Sequence, residues 1–255
     1  MALVLNFLGT GTSQGVPVIN CCCDVCKSKD ARDKRLRSSV LISVDKQSIL
    51  IDSGPDLRSQ LLRTPLPMPT SVLMTHAHQD HTAGMDDLRP LIHQNKSAFP
   101  VYAEANVQER LRQQFSYAFA EKKYPGAPSF ALTTINESPF FVNQTKITPI
   151  RAWHGSLPVL GFRISDIAYL TDVHTLPESE KQKLKNLDVL ILNALRHKPH
   201  HSHLTLSEAI QLAKDIGAKK TYFTHISHHL GRHESVQLPQ GMTLAYDGLT
   251  LYVNN

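Results

Sequence analysis

Outside residues 21–26 the chain has no cysteine, although it holds four in 255 residues. A disulfide framework would spread its thiols along the chain to staple distant segments. This clustering points instead to a metal site in a reducing compartment. No run approaches the ~18 consecutive apolar residues that a spanning helix needs, so a membrane protein of that type is excluded. The first residues show no basic stretch followed by an apolar one and a cleavage site. A secretory signal is therefore not expected, and the expected location is cytoplasmic. Internal repeats, low-complexity tracts and glycine/serine linkers are all missing, which leaves one domain over residues 1–255 as the expectation. Charge of one sign is not concentrated anywhere: 27 Lys and Arg are scattered against 22 Asp and Glu, a formal balance of +5. Such a surface favours an anionic substrate such as a phosphate, and neither nucleic acid nor a membrane is expected as a partner.

What is abundant is histidine, with 14 residues. Apolar residues make up 41% and charged residues 19%, ordinary for a folded globular chain and too apolar for a disordered one. Runs rich in β-branched residues predict strands at residues 3–8, 39–44, 49–51, 72–75, 147–153, 159–164, 167–171, 189–192, 221–224 and 243–253. A polar turn at 45–47 joins the second and third of these, and Asp247-Gly248 breaks the last. Helices are expected at 57–62, 84–94, 105–121, 178–186 and 207–216, the last with Gly217 as its C-cap. Strand clusters flanked by helices in both halves suggest two packed sheets with helices outside. Four strands end at a residue able to bind metal: Thr75 precedes His76, Trp153 precedes His154, Thr171 precedes Asp172, and Thr224 precedes His225. Rigid strands delivering single ligands into one cleft are a common way to build a site.

The segment His76-Ala77-His78-Gln79-Asp80-His81 holds three imidazoles and a carboxylate in six residues. His76 and His78, two apart, can face one metal, while Asp80 and His81 can turn toward a second. Donors of this kind suit Zn²⁺ or a similar divalent ion; the competing reading is a solvated loop with chance histidines. A second cluster, Cys21-Cys22-Cys23-Asp24-Val25-Cys26, combines CxC and CxxC spacings. Three thiolates can wrap one Zn²⁺ with a fourth ligand from elsewhere, or the thiols are inert or redox-active. The turn Gly9-Thr10-Gly11-Thr12-Ser13-Gln14-Gly15 has neither the Lys-Ser/Thr of a phosphate loop nor GxGxxG spacing, so a nucleotide cradle is not expected. Arg151, Arg163, Arg196 and Lys198 lie near strand ends where a guanidinium or ammonium could hold phosphate, though surface charge is their default role. Trp153, the sole tryptophan, is expected in the core. Asp86 and Asp87 suit a helix start.

The HxHxDH run is the signature of the metallo-β-lactamase superfamily, which the chain resembles over nearly its whole length. Asp52, in Leu50-Ile51-Asp52-Ser53-Gly54, matches the family's early aspartate. The resemblance implies a four-layer αββα sandwich. It also implies one metal on His76, His78 and His154, a second on Asp80, His81 and His225, and Asp172 bridging both. The oxygen-reducing branch carries a carboxylate where this chain has His78, which argues for hydrolysis. The chain looks nearest to a subfamily that includes the phosphoribosyl cyclic phosphate phosphodiesterase of the carbon–phosphorus lyase pathway. That likeness implies a structural zinc in a loop near 20–27 on Cys21, Cys23, Cys26 and His228, of Thr224-His225-Ile226-Ser227-His228. Cys22 is an extra thiol outside the pattern, able to substitute for Cys21. It further implies that His203 assists at the leaving group, against the plainer reading of a surface histidine at a helix start.

The expected function is therefore metal-dependent hydrolysis of a small, cyclic phosphodiester such as 5-phosphoribosyl 1,2-cyclic phosphate. Two divalent catalytic metals are expected, zinc or manganese with iron also accommodated by related hydrolases, and Asp80 and His203 serve as catalytic groups. The alternatives are another ester hydrolase, of thioesters or in tRNA 3′-processing, and a non-catalytic carrier resembling the pyrroloquinoline quinone synthesis factor. A small phosphorylated substrate is the expected partner; a homodimer and the identity of the native metal stay open.

Overall fold

The computed structural model describes residues 2–44 and 46–254. Fourteen strands are found among them: β1 Ala2–Gly9, β2 Ser39–Val44, β3 Gln47–Ile51, β4 Ser71–Leu73, β5 Phe99–Ala103, β6 Phe130–Thr134, β7 Phe140–Val142, β8 Thr145–His154, β9 Leu157–Ile164, β10 Ile167–Leu170, β11 Val189–Asn193, β12 Lys220–Thr224, β13 Met242–Leu244 and β14 Thr250–Asn254. The helices are α1 Leu57–Leu61, α2 Gln79–Thr82, α3 Arg89–Asn95, α4 Ala105–Gln114, α5 Ser116–Phe119, α6 Glu178–Lys181 and α7 Leu206–Ile216, with short 3-10 turns between them. Two seven-stranded mixed sheets result, in the orders β14-β1-β2-β3-β4-β5-β6 and β13-β12-β11-β10-β9-β8-β7.

The layering follows from side-chain alternation. Val40 and Ile42 of β2, Ile49 and Ile51 of β3, Ile167 and Tyr169 of β10, and Val189 and Ile191 of β11 all enter one apolar cluster between the sheets. The intervening residues turn the other way. Leu41 and Leu50 pack with the helices over the first sheet; Ala168, Leu170, Leu190 and Leu192 pack with those over the second, α7 among them. Strands buried on both faces need continuous apolar runs, which these segments have. Three apolar layers separate four layers of structure, so the fold is the metallo-β-lactamase αββα sandwich.

Several expected elements differ in detail. The helix expected at 84–94 is a 3-10 turn at Met85–Leu88 followed by α3. Pro90 has no N–H to donate backwards, so it is placed in the first turn of α3 and the helix restarts there. The helix at 105–121 divides at Phe115, whose φ of −113° and ψ of 42° leave the helical region while its ring is buried. The one at 178–186 shortens to α6 and a 3-10 turn at Gln182–Leu184. The expected strand 243–253 is two strands in different sheets: β13 pairs with β12 and β14 pairs with β1, the crossover turning at Gly248 with φ of 91°. Strands β5, β6 and β7 have no counterpart in the expectations; Pro100, paired with Ala131 in β5, masks its strand. Asp45 of the expected 45–47 turn lies outside the described residues. Among the described residues no helix is long and apolar enough to cross a membrane.

Candidate metal centre

The chemistry-bearing residues come from strand tips and the loops that follow them. Asp52 follows β3, Asp172 follows β10 with Thr171 between, and His225 follows β12. All three are in the left-handed region, with φ of 62°, 58° and 53°. For a residue with a Cβ this conformation is uncommon and costs about 1–3 kcal/mol, so the surrounding contacts must hold it. Asn193 does so for the loop after Asp172, accepting from the amide of Val173 at 2.7 Å and donating to its carbonyl at 3.0 Å. Helix α2, carrying Asp80 and His81, lies on the Ser53-Gly54 turn. The amide of Ser53 donates to the carbonyl of His81 at 2.7 Å, and a Cβ on Gly54 would stand 2.2 Å from the carbonyl oxygen of Asp80. Only glycine permits that approach.

Two donor groups form at the convergence of these tips. Ligand atoms of His76, His78 and His154 lie within 4.8 Å of one another, as do those of Asp80, His81 and His225. Nε2 of His76 is 3.0 Å from Nδ1 of His78. Asp172 stands between the groups: its ligand atom lies within 4.8 Å of those of His76 and His154, while Oδ2 is 3.2 Å from Nε2 of His81 and Oδ1 3.3 Å from Nε2 of His225. Asp80 Oδ2 is 3.3 Å from the same nitrogen of His81. Donors bound to one tetrahedral Zn²⁺ at about 2.0–2.1 Å sit about 3.3 Å apart; the pairs above are near this, and Asp80 Oδ2 to His225 Nε2 is wider at 3.7 Å. The ring of His225 is buried, its Nε2 faces the carboxylates of Asp172 and Asp80, and its Nδ1 has no hydrogen-bond partner. Imidazoles and carboxylates brought this close, with His76, His81, His225 and Asp172 buried, fit divalent metal.

Hydrogen bonds behind the donors fix their aim. Asp52, wholly buried, accepts from the Thr75 amide at 2.9 Å and the Thr75 hydroxyl at 2.8 Å. Its Oδ2 lies 2.7 Å from Nδ1 of His81, and Nδ1 of His76 lies 2.9 Å from the Thr75 hydroxyl. One carboxylate thus orients His81 directly and His76 through Thr75, leaving each Nε2 for metal. The carbonyl of Ser202 does the same for Nδ1 of His154 at 2.7 Å; nothing in the sequence marks a main-chain oxygen for this part. Burial on its own would lower the His81 pKa, but the carboxylates of Asp172, Asp52 and Asp80 outweigh it and raise the value well above the ordinary range. Burial likewise opposes ionisation of Asp172 and Asp80, and the imidazoles around them overcome it and hold both carboxyls low. His76, fully enclosed, is pushed down by desolvation.

His203 is not a surface histidine. It is 8% exposed, its ring centroid lies 4.4 Å from that of His154 and 4.9 Å from that of His225, and Nδ1 is 3.8 Å from Asp172 Oδ1. Desolvation drives its pKa down to about 2.

The cysteine loop forms a separate site. Sγ of Cys21, Cys23 and Cys26 lie 3.3, 3.4 and 3.5 Å from Nδ1 of His228. One ring nitrogen can accept a single S–H, so three thiols on it do not make a hydrogen-bond pattern. Zn–S and Zn–N bonds of about 2.3 and 2.05 Å put S and N about 3.5 Å apart in a tetrahedron. Cys22 is exposed and outside the donor group, so it does not replace Cys21. Burial pushes the Cys26 thiol up to about 11, whereas the Cys26 amide helps hold Cys23 down.

Other sequence-level candidates lie elsewhere. Trp153 is 38% exposed, a correction to its expected core position: Ala152 packs into the helix-side cluster, and alternation puts Trp153 on the opposite face, next to the last residue of β8, where it is left partly open. Arg151 is clamped by Glu104 and Glu137. Arg163 donates to the carbonyls of Ser165, Lys183 and Lys185, and Arg196 to those of Lys198 and Pro199. These three arginines are engaged with protein. Asp87 caps the start of α1, accepting from the Arg58 amide at 3.2 Å, and Asp86 pairs with Arg89 at 2.8 Å.

Comparison with known proteins agrees with this geometry. An octanoyltransferase of Porphyromonas gingivalis is 40% identical over 252 residues, 97% of this chain and 51% of that protein; the chain thus spans about half the length of that relative. A crystal structure of a new diphosphatase from the PhnP family superposes with a TM-score of 0.92 at 38% identity, over 99% of this chain and 98% of the other. Zn²⁺-bound PqqB from Methylobacterium extorquens shares the fold, with a TM-score of 0.77 at 20% identity over 98% and 99% of the two chains. Residues 47–226 match the family model described as the beta-lactamase superfamily domain. With the αββα sandwich and the convergent His/Asp donors, that match makes this chain a member of the β-lactamase superfamily, of the metallo-hydrolase fold that implies divalent metals such as zinc.

Proposed function

We propose that this chain is a metal-dependent phosphodiesterase acting on a small phosphodiester, with a cyclic one such as 5-phosphoribosyl 1,2-cyclic phosphate as the named candidate. The observation that carries the reading is the placement of Asp172 between the His76/His78/His154 and Asp80/His81/His225 groups. Divalent ions held there would supply hydroxide near neutral pH and offset charge on phosphate oxygens. The likeness to a PhnP-family diphosphatase supports hydrolysis at phosphorus.

The protein's own groups then have distinct tasks. Asp80, held ionised by His81 and His225, accepts a hydrogen bond from the attacking water and orients it. Asp52 keeps the His76 and His81 rings aimed. His203, kept neutral by its burial, presents one N–H to a phosphate or leaving oxygen. The Cys21/Cys23/Cys26/His228 group would hold a structural zinc, a role its three thiols and one imidazole suit. Octanoyl transfer is named for a relative about twice this length, and nothing at the His/Asp centre singles out an acyl chain.

Protein loaded with zinc or manganese is to be tested on bis(p-nitrophenyl) phosphate, a phosphomonoester, a diphosphate ester, a thioester and a lactam. Diester-selective turnover that is lost in Asp80→Ala supports the reading. Thioester selectivity would favour the other hydrolase class, and no turnover of any ester would favour the carrier.

A further inference from the structure

The Gly9-Thr10-Gly11 turn finds its partners inside the protein. The carbonyl of Thr10 accepts the amide of Ile226, the residue after His225, at 2.9 Å. Gly11 forms parallel bridges with both Ile226 and Arg37. The Thr10 hydroxyl, wholly buried, donates to Asp247 Oδ1 at 2.7 Å and accepts from Arg35 Nη1 at 2.8 Å. Arg35 is 3% exposed and also donates to the Ala245 carbonyl at 2.6 Å. Asp247 Oδ2 takes the Leu36 amide at 2.7 Å. A Cβ on Gly9 would stand 2.0 Å from the carbonyl oxygen of Arg37, and one on Gly11 2.8 Å from that of Arg35. The two glycines therefore allow a close backbone approach, and the threonine ties it to buried Arg35 and half-buried Asp247.

His225 needs such support. The Nδ1 atoms of His81, His76 and His154 lean on Asp52, Thr75 and the Ser202 carbonyl, but Nδ1 of His225 has no hydrogen-bond partner, and only its Nε2 faces a side chain, Asp172. Its aim must come from the main chain that carries it, which is in the left-handed region. That main chain is held on one side by Ala194, whose amide donates to the Thr224 carbonyl at 2.9 Å, and on the other by Thr10. We propose that the Gly9-Thr10-Gly11 turn, locked by Arg35 and Asp247, is a brace that positions His225, with Thr10 as the positioning residue. The proposal rests on the reading of His225 as a metal ligand.

Zinc titration against a chromophoric chelator tests it in the full chain. Thr10→Val keeps the shape but leaves the half-buried Asp247 carboxylate and the buried Arg35 guanidinium short of a partner. It should weaken zinc binding at the His/Asp centre by at least about tenfold, the scale seen for lost outer-shell contacts, while Thr10→Ser stays within about twofold of wild type. Equal affinities in Thr10→Val and wild type overturn the brace, even if the variant melts earlier. Should Thr10→Val fail to fold, amide exchange in chelator-treated wild-type protein decides. Ile226 should remain protected by about a hundredfold or more without metal, and a freely exchanging Ile226 amide overturns the proposal. Wild-type protein that takes up no zinc would refute the metal reading itself, and the exchange of Ile226 would still report on the brace.

Discussion

Asp52 and His81 form a buried pair, Oδ2 to Nδ1 at 2.7 Å, and the same oxygen accepts the Thr75 hydroxyl that serves His76. A single carboxylate therefore sets the direction of one imidazole in each donor group. Asp52→Asn keeps the shape and tolerates the left-handed backbone, but offers His81 a weaker acceptor. Metal affinity at the His/Asp centre should fall about 10–100-fold with the fold intact, as read by metal content after dialysis alongside far-ultraviolet circular dichroism. Full metal content in the variant would show that Asp52 is dispensable for orientation.

The loop Thr224-His225-Ile226-Ser227-His228 joins the two candidate sites, since His228 meets the three thiols and His225 faces Asp172. Cys23→Ala should lose the structural zinc and, through the loop, lower both metal retention at the His/Asp centre and diester turnover. Elemental analysis and a turnover assay on the same sample check this. Unchanged catalytic metal and activity would mean the loop transmits nothing.

Gly54 tests the seat of α2. A Cβ there meets the Asp80 carbonyl at 2.2 Å, and the backbone oxygen cannot swing aside as a flexible side chain would. Gly54→Ala should destabilise the fold by about 1–3 kcal/mol, the usual scale of overpacking, and move Asp80 and His81 with it. A thermal midpoint equal to wild type, with normal metal content, would contradict the tight seat.

Acid sensitivity should trace in part to His233. Desolvation and then the Arg35 guanidinium lower its pKa from the ordinary 6.5 to about 4; Nδ1 lies 3.2 Å from Arg35 Nη2 and so acts as acceptor. The unfolded chain takes up this proton below about pH 6.5, whereas the folded one resists until about pH 4. Stability is therefore lost as pH falls through that window, by an amount on the order of 1–3 kcal/mol. Denaturant midpoints measured from pH 7 to pH 4 should fall less steeply in His233→Gln. Parallel slopes for variant and wild type would rule His233 out.

The motif at residues 76–81 and the strand tips at 154, 172 and 225 were legible because a metal centre demands particular donors at short spacing. The core strands were legible because burial on both faces leaves continuous β-branched runs, as in β2 and β11. What stayed hidden depends on tertiary contact. Ser202 acts through a carbonyl that every residue has. Strand β5 contains a proline and β7 has only three residues, too little for a periodic signal. The divided 243–253 segment reads as continuous because both its halves are apolar, and only the packing assigns them to opposite sheets. Trp153 beside Ala152 shows the same limit, since alternation sets the two on opposite faces of β8 but does not say which face is left open at that end of the strand.

The pairing of β14 with β1 sets Ala2 opposite Asn254, at the end of β1 remote from the Gly9-Thr10-Gly11 turn. Any segment joined before or after these strands emerges on the side of the sandwich away from the donor cluster. A tag, a surface tether or a fused partner at either terminus should thus leave the mouth of the cleft open to small molecules.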